Sequence, residues 1–484
     1  MDSPVAEESP PPPYLWKSWR GVIVYLCFLC NTCLYLCRTS ITVAIVYMYK
    51  DYRVQGFLLT GFYVGYTLSQ MPGGWAAKRY GAKPVLSLAV FVWSVVTILT
   101  VYFGPKDGSE AAAHADPVTS GILFTLRLIV GLAEGVNYPC QMALNTAWIP
   151  RRERARTWTF GVGGEPAGTI LALLGGPFLI EATSTWRSVF IISGAVGFAW
   201  LALFFVLASS TPEDHRWISQ AELDYIRSDD EIAGNEKYSS LPGEESAVHP
   251  QPLNGTSRTE LDPEIVPWKE ILSNRAFQCT VFGHICYNYG YYVVLSWITD
   301  YFKTKYKANY GSLGMVSILP YVLLLLTNPG AGFFGDWLEK KGFSTLNSRR
   351  IVNSIAMFGA SIGFVASGII AQSTVTPEDE KNNLYPAAIV LAVTVSVGGL
   401  MVGGIWSNFR DLSDKYAPIL IGISNSIASL PGIIGQGFTG WLLAATDGNW
   451  FWVFCTAGII ECIGAFVFLV GAKAEDQKFG ERRG

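Results

Sequence analysis

The sequence predicts an all-α membrane protein with twelve transmembrane helices arranged as two six-helix bundles. Half of the 484 residues are apolar, only 15% are charged, and the mean hydropathy is +0.30. The apolar residues form blocks of about 20 or more, each long enough to cross a hydrocarbon core of roughly 30 Å. A polar stretch interrupts these blocks halfway along the chain.

The blocks divide the chain into two sets of six predicted spans. The first set lies near 21–48, 55–77, 83–103, 118–148, 157–181 and 187–208. The second set lies near 276–304, 309–337, 349–372, 384–408, 416–443 and 449–472. We therefore expect bundles over 21–208 and 273–472, a cytosolic linker over 209–272, and cytosolic tails over 1–20 and 473–484. The N-terminal tail is expected to be disordered.

Lysine and arginine in the short loops predict the orientation. The loops after the second, fourth and eighth spans are basic: Lys78, Arg79 and Lys83; Arg151, Arg152, Arg154 and Arg156; Lys340, Lys341, Arg349 and Arg350. Opposite loops carry single cations, although Lys303, Lys305 and Lys307 run against the trend. Both termini are therefore expected in the cytosol, and the sequon at Asn254 in the linker should be unmodified.

Composition argues against several partners and activities. A net charge of -3 gives no basic face for nucleic acid. Cys27, Cys30, Cys33 and Cys37 have the spacing of a ferredoxin cluster, but inside an apolar helix they favour small residues at a helix contact. No metal site or catalytic residue is predicted, and the chain is not expected to be an enzyme.

Pro11 to Tyr14, with sequence PPPY, could bind a WW domain or be an ordinary tail.

Ionisable residues inside the spans are candidate functional groups because each is costly in a membrane. Arg38 lies in the first span, Arg127 and Glu134 in the fourth, Glu165 in the fifth and His284 in the seventh. Arg127 and Glu134 are about two helical turns apart and share one face. Two guanidiniums with one titratable carboxylate suit a carboxylate or phosphate anion.

Each candidate also has a structural interpretation. The arginines and Glu134 could form an ion pair that only holds the bundle together. His284 could relay protons or bond a neighbouring helix. Glu165, beside Pro166, could bind a second proton or face the aqueous side of a helix break.

A repeated loop signature follows the second span of each half. GWAAKRYGAKPVL begins at Gly74, and GFFGDWLEKKG begins at Gly332, with Lys78 and Asp336 at the same spacing. The pair resembles the loop motif of the major facilitator superfamily, although Lys78 replaces the usual Asp. The resemblance implies the major facilitator fold and a charged latch between helices on the cytosolic side.

Longer stretches resemble the anion–cation symporter branch of that superfamily. They are RTSITVAIV from Arg38, GFYVGYTLSQMPGGW, RLIVGLAEGVNYP, HICYNYGYYVVLSW and NFRDLSDKYAPILIGISNSIASLPGI. The resemblance implies that Arg127 binds substrate and Glu134 couples protons. It also suggests Tyr287, Asn288 and Asn425 as substrate contacts.

These features together predict a secondary transporter of a small organic or inorganic anion, working by alternating access. The coupling ion would be H⁺ or Na⁺, and no other cofactor is expected. The alternatives are a sodium-coupled phosphate carrier, in which Glu134 only balances charge, and an anion sensor that no longer transports. The membrane, plasma membrane or endolysosomal and vesicular, stays open.

Overall fold

A computed structural model describes residues 14–106, 116–227 and 266–480. Within these ranges, twelve helices are long enough to cross a membrane. We number them α1 to α12 in chain order. Those of the first half are Trp19–Met48, Tyr52–Tyr80, Ala82–Phe103, Pro117–Trp148, Arg151–Thr183 and Arg187–Leu207. Those of the second half are Arg275–Asp300, Tyr310–Lys340, Thr345–Ser373, Pro377–Leu412, Ala417–Ala445 and Trp450–Gly471. This confirms the predicted all-α fold.

Ten of these helices, in the part of the chain that the structure describes, are also apolar enough to be recognised as spans by hydropathy. The two others are α2 and α7, which have 29 and 26 residues. Both pack against the opposite half, α2 on α11 and α7 on α1. Their polar residues therefore face protein rather than lipid, which explains their lower hydropathy.

Helix packing repeats from one half to the other. In the first half α1 packs on α5, α2 on α4 and α3 on α6; in the second, α7 packs on α11, α8 on α10 and α9 on α12. The halves meet where α2 packs on α11 and where α5 packs on α8. These two contacts are equivalent, because α8 corresponds to α2 in the repeat and α11 corresponds to α5. This pattern is the one expected of a duplicated six-helix unit.

Most of the hydrogen bonds that join the halves, among the described residues, involve α2. Gln55 Nε2 donates to Asp300 Oδ1 over 3.4 Å, Thr60 Oγ1 to the Ile433 carbonyl over 3.3 Å, and Gln70 Nε2 to Ser429 Oγ over 3.1 Å. Near the same end, Gly56 lies against Gly440, and the missing side chains allow α2 and α11 to approach closely. The halves are therefore closed together on the side opposite to the termini, which is the predicted non-cytosolic side.

The two cytosolic ends are fastened differently. In the second half, Arg349 of α9 pairs with Asp411 of α10 at 2.8 Å and with Glu339 of α8 at 3.6 Å. Asp336, the motif residue, is exposed, so Glu339 and Asp411 supply the carboxylates of this latch. In the first half, the start of the predicted linker forms a helix over 220–227 that packs on the bundle.

This linker helix contacts the start of α1. The Glu222 carboxylate accepts hydrogen bonds from the backbone N–H groups of Trp19 and Arg20 over 3.1 and 2.8 Å. Arg20 also bonds Glu153 of α5 at 3.2 Å. Glu222 therefore satisfies two of the free N–H groups at the N-terminus of α1 and fixes the linker to it. Pro11 to Pro13 and Asn254 lie outside the described residues.

Candidate functional site

A buried ion pair lies at the centre of the first half. Arg38 of α1 donates from Nε to Glu134 Oε2 of α4 over 3.1 Å, and the two side chains are 5% and 0% exposed. The helical pattern of α4 is interrupted at Gly135 and Val136, directly after Glu134. Pro139 contributes to this interruption because it has no N–H to bond the carbonyl of Gly135.

Arg127 lies two turns before Glu134 on α4 and is 5% exposed. A small cavity lies between the halves and touches both arginines. The cavity is lined by Arg38, Thr39, Ile41, Thr42, Leu59, Phe62, Tyr63, Arg127, Leu295 and Ser296. Most of these residues belong to α1, α2 and α4, and only Leu295 and Ser296 come from α7.

Aromatic rings surround the guanidinium of Arg38. Its Cζ lies 4.6 Å from the ring centres of Tyr35 and Phe62 and 4.8 Å from that of Tyr66. Phe62 also lies 5.2 Å from Arg127 Cζ. Ring faces attract cations without neutralising them. The rings therefore hold the two arginines in place without neutralising them, and Glu134 balances only one of the two charges.

The hydrogen bonding of the site is incomplete. Arg38 Nη2, Arg127 Nε and Glu134 Oε1 are buried and have no partner. Buried polar atoms are nearly always paired, so donors left open beside a cavity indicate a place for a ligand or water. One carboxylate and two guanidiniums leave an excess positive charge. An anion with two oxygens in one plane would match these donors.

Glu165 forms a separate cluster in the same bundle. Tyr138 of α4 donates a hydrogen bond from its hydroxyl to Glu165 Oε1 on α5. Tyr35 lies next to Glu165 and also stacks on Arg38. Tyr35 therefore lies between Glu165 and the ion pair of Arg38 with Glu134. Glu165 itself does not contact the cavity lining.

Two of the predicted residues in the second half, His284 and Asn288, hydrogen-bond a neighbouring helix. His284 Nδ1 is 2.9 Å from Ser424 Oγ of α11, and the ring is buried. Asn288 Nδ2 donates to the Ala428 carbonyl of α11 over 2.8 Å. Tyr287 and Asn425 are half-buried, and Tyr287 stacks on Tyr291 at 6.0 Å. These four residues stand apart from the cavity lined by the arginines.

Two carboxylates in the second half were missed by sequence reasoning. Glu461 lies in the middle of α12 and is 1% exposed, and Asp300 at the end of α7 is equally buried. Both stand inside apolar blocks, so a search of every block for single charges would have found them. Among the residues described, no group of three His, Cys, Asp or Glu side chains is close enough to hold a metal ion.

A third feature that sequence reasoning missed is a buried amide network in the first half. Asn31 of α1 bonds Gln141 and Asn137 of α4, with distances of 2.8 to 3.0 Å, and reaches the Gly161 carbonyl of α5. Cys30 donates to Asn137 over 3.3 Å, so this cysteine lies at a helix contact. The network fixes α1, α4 and α5 together and so orients the helices that carry Arg38, Glu134 and Glu165.

Twelve spans in two repeated bundles around a charged central site define a multi-pass membrane transporter of the alternating-access kind. The sequence profile of the Major Facilitator Superfamily matches residues 27–435. The chain belongs to this superfamily. The family and its relatives are transporters, so the chain is a transporter and not an enzyme.

Individual relatives agree with this assignment. The chain is 31% identical to sialin of Ovis aries over 433 residues, which cover 89% of this chain and 77% of that one. It is 28% identical to a chloroplastic sodium-dependent phosphate transport protein 1 of Arabidopsis thaliana, covering 95% and 81%. Its fold is similar to a bacterial homologue of the human lysosomal transporter Spinster in an inward-facing, occupied conformation, with TM-score 0.67, 16% identity, and coverage of 94% and 97%.

Proposed function

We propose that the chain moves a small carboxylate or phosphate anion across its membrane by alternating access, with Arg38 and Arg127 as the anion-binding groups. The observation that carries this proposal is the set of unpaired donors, Arg38 Nη2 and Arg127 Nε, beside a cavity between the halves. An anion placed there would complete the hydrogen bonding of both side chains. The relatives named for anion and phosphate transport support this class of substrate.

The access route follows from the contacts between the halves. Thr42 of α1 donates to the Leu295 carbonyl over 3.3 Å, and the Tyr63 hydroxyl lies 3.5 Å from Ser296 Oγ. These bonds cover the cavity on the predicted non-cytosolic side. Rocking of the bundles would break them and expose Arg38 and Arg127 to that side.

Glu134 would couple the anion to a proton. When ionised, its carboxylate occupies Arg38; when protonated, it frees that guanidinium for the anion. Proton and anion would then bind together. A second interpretation is that Glu134 stays ionised, balances one arginine, and leaves coupling to Na⁺, as the name of the sodium-dependent phosphate relative suggests for that protein. In that case the Arg38 pair would persist through the cycle.

Flux measured in vesicles tests the proposal. The purified full chain would be reconstituted and offered labelled phosphate, sialate, glutamate and a hexonate, each under an imposed pH gradient or an imposed sodium gradient. We expect one of these anions to accumulate under the pH gradient. Accumulation only with sodium would favour the phosphate-carrier alternative. Specific binding without flux would identify an anion sensor on the same fold.

The remaining proposal concerns the N-terminal tail. PPPY at Pro11 to Tyr14 matches the type of ligand that WW domains bind, because its preformed polyproline conformation loses little entropy on docking. The sequence pattern alone supports it. Binding of a synthetic 1–20 peptide to an isolated WW domain, with Tyr14→Ala as control, would test it.

A further inference from the structure

Glu461 lies in the middle of α12, eleven residues from its first residue Trp450, and is fully enclosed by protein. One carboxylate oxygen, Oε2, has no hydrogen-bond partner. In the second half, among described residues, α12 packs mainly on α7 and α9. The groups that face Glu461 from those helices therefore determine whether its carboxyl group is ionised or protonated.

The neighbours of Glu461 are apolar or neutral. Gly290 of α7 leaves room for it, because a Cβ built there would lie 2.8 Å from Glu461 Oε1 and equally close to Phe364 of α9. The titratable groups near it are Cys286 and Tyr287, both on α7. The cations of α9, Arg349 and Arg350, stand at its cytosolic end. No counter-charge faces Glu461 within the described ranges, where the ion pairs of the second half are at the helix ends.

An ionised carboxylate without a counter-charge costs several kcal/mol in such surroundings, whereas a neutral carboxylic acid does not. Glu134 differs in this respect because Arg38 compensates its charge. Glu461 is also near enough to Tyr287 of α7 for the two groups to interact electrostatically. A change in the charge of Glu461 would therefore be felt on α7.

We propose that Glu461 is a second proton-binding site of this transporter, located in the second half between α12 and α7. The ligand is a proton held on the carboxyl group in the closed state described here. Movement of α7 against α12 would admit water to Oε2 and allow the proton to leave. The proposal does not depend on which anion is carried.

Infrared spectroscopy of the purified full chain tests the site directly. A carbonyl-stretch component of a protonated carboxyl group should be present at neutral pH, decrease as the pH is raised, and be lost in Glu461→Gln; the difference between the two spectra separates it from any contribution of Glu134 or Glu165. Glu181→Gln, at an exposed position on α5, is the matched control and should leave that band unchanged. A Glu461→Gln spectrum identical to wild type would overturn the proposal, as would a band that persists at every pH up to unfolding.

A second variant guards against misfolding of the first. Gly290→Ala keeps the carboxyl group but introduces a methyl group against Oε1. The protonated band should then shift in frequency without disappearing. An unshifted band would place the proton on another residue and contradict the proposal. Because no flux is measured, failure of anion transport would leave these outcomes intact, and the two proposals can fail separately.

Discussion

The two halves share a scaffold but differ at their centres. Their helices pack in the same repeated pairs. The first half carries a charged centre, in which Arg38 and Glu134 pair and Arg127 stands beside them. The second half carries Tyr287, His284 and Asn288 on α7. His284 and Asn288 hydrogen-bond α11, and no ion pair lies near the middle of the described helices.

This difference shows which positions can diverge after the duplication of a six-helix unit. Packing between helices fixes the repeat, because each small-residue contact must be kept for the bundle to form. Side chains that face the centre contribute little to packing and can change. One half can therefore specialise in charge, while the other supplies hydrogen-bonding and aromatic surface. We expect substitutions in the first half to alter ion and anion binding, and those in the second half, the proposed proton site Glu461 apart, to alter stability more than chemistry.

The largest effect should come from Arg127→Ala. A charge-assisted hydrogen bond is worth about 1.5–3 kcal/mol, so loss of this guanidinium should reduce anion flux by about tenfold to a hundredfold or more. Arg127 Nε has no partner to lose, so folding should be near normal. Labelled-anion uptake per folded molecule would be measured, with exposed Arg53→Ala as control. Normal flux in Arg127→Ala would remove Arg127 from the anion site.

Next in size is Glu134→Gln, which imitates the protonated carboxyl. It should keep anion counterflow at equal pH within a few-fold, because Arg38 and Arg127 remain, but lose accumulation driven by a pH gradient. Both properties can be measured in one vesicle preparation. Loss of counterflow together with accumulation would make the Arg38–Glu134 pair structural. Retained pH-driven accumulation would move coupling elsewhere, with Glu165, His284 or Glu461 to be tested next.

A smaller effect is expected in the second half from His284→Ala. The variant breaks the contact with Ser424, which leaves a buried hydroxyl unpaired at a cost of about 1–3 kcal/mol. Thermal stability should fall while the ratio of accumulated anion to imposed pH gradient stays constant. A changed ratio would make His284 a proton relay and weaken the contrast between the halves.

Ser424→Ala is the matched partner of that experiment. It removes the same hydrogen bond from the other side, on α11. If the bond is the main contribution of both residues, the double variant should lose clearly less stability than the sum of the single ones. Additive losses would mean that His284 acts through another contact, such as the ring of Trp406, 5.5 Å away.

The sequence was sufficient for the fold because length and apolarity decide whether a helix can cross a membrane. It was less informative at helix ends. The helix α5 begins at Arg151, six residues before its predicted span, since a basic amphipathic turn is compatible with a helix at the membrane surface. The polar composition of the linker likewise gave no sign that residues 220–227 form a helix attached to α1.

The candidate site was predictable only as a set of residues. Spacing put Arg127 and Glu134 on one face of α4, but the partner of Glu134 is Arg38, because rotation of α1 against α4 decides that contact. Glu461 could have been found from sequence, as a charge in an apolar block. The absence of a cation facing Glu461 could not have been found in the same way. It depends on which sides of α7 and α9 pack on α12, and sequence periodicity does not determine those sides.

The smallest effect concerns a feature that the halves have in common. The helices α4 and α10 correspond in the repeat, and each starts with a capping side chain followed by proline. Asp116 Oδ2 accepts from the Thr119 N–H over 2.9 Å, and Thr376 Oγ1 accepts from the Asp379 N–H over 3.2 Å. Thr376→Ala should cost about 1 kcal/mol of stability, as loss of a helix cap does, and leave flux and coupling unchanged.

Asp116→Ala is the corresponding variant in the first half. The two caps differ in their pH dependence, because Asp116 can be protonated and Thr376 cannot. The hydrogen bonds from the backbone and side chain of Thr119 lower the pKa of Asp116 below its ordinary value of 3.8. A lowered folded-state pKa means that the carboxylate stabilises the fold above the ordinary pKa and loses this effect as pH falls through the lowered one. Melting temperatures of wild type and Asp116→Ala should therefore differ at neutral pH and converge in strong acid. A difference that persists there would mean that Asp116 stabilises α4 through something other than its charged cap.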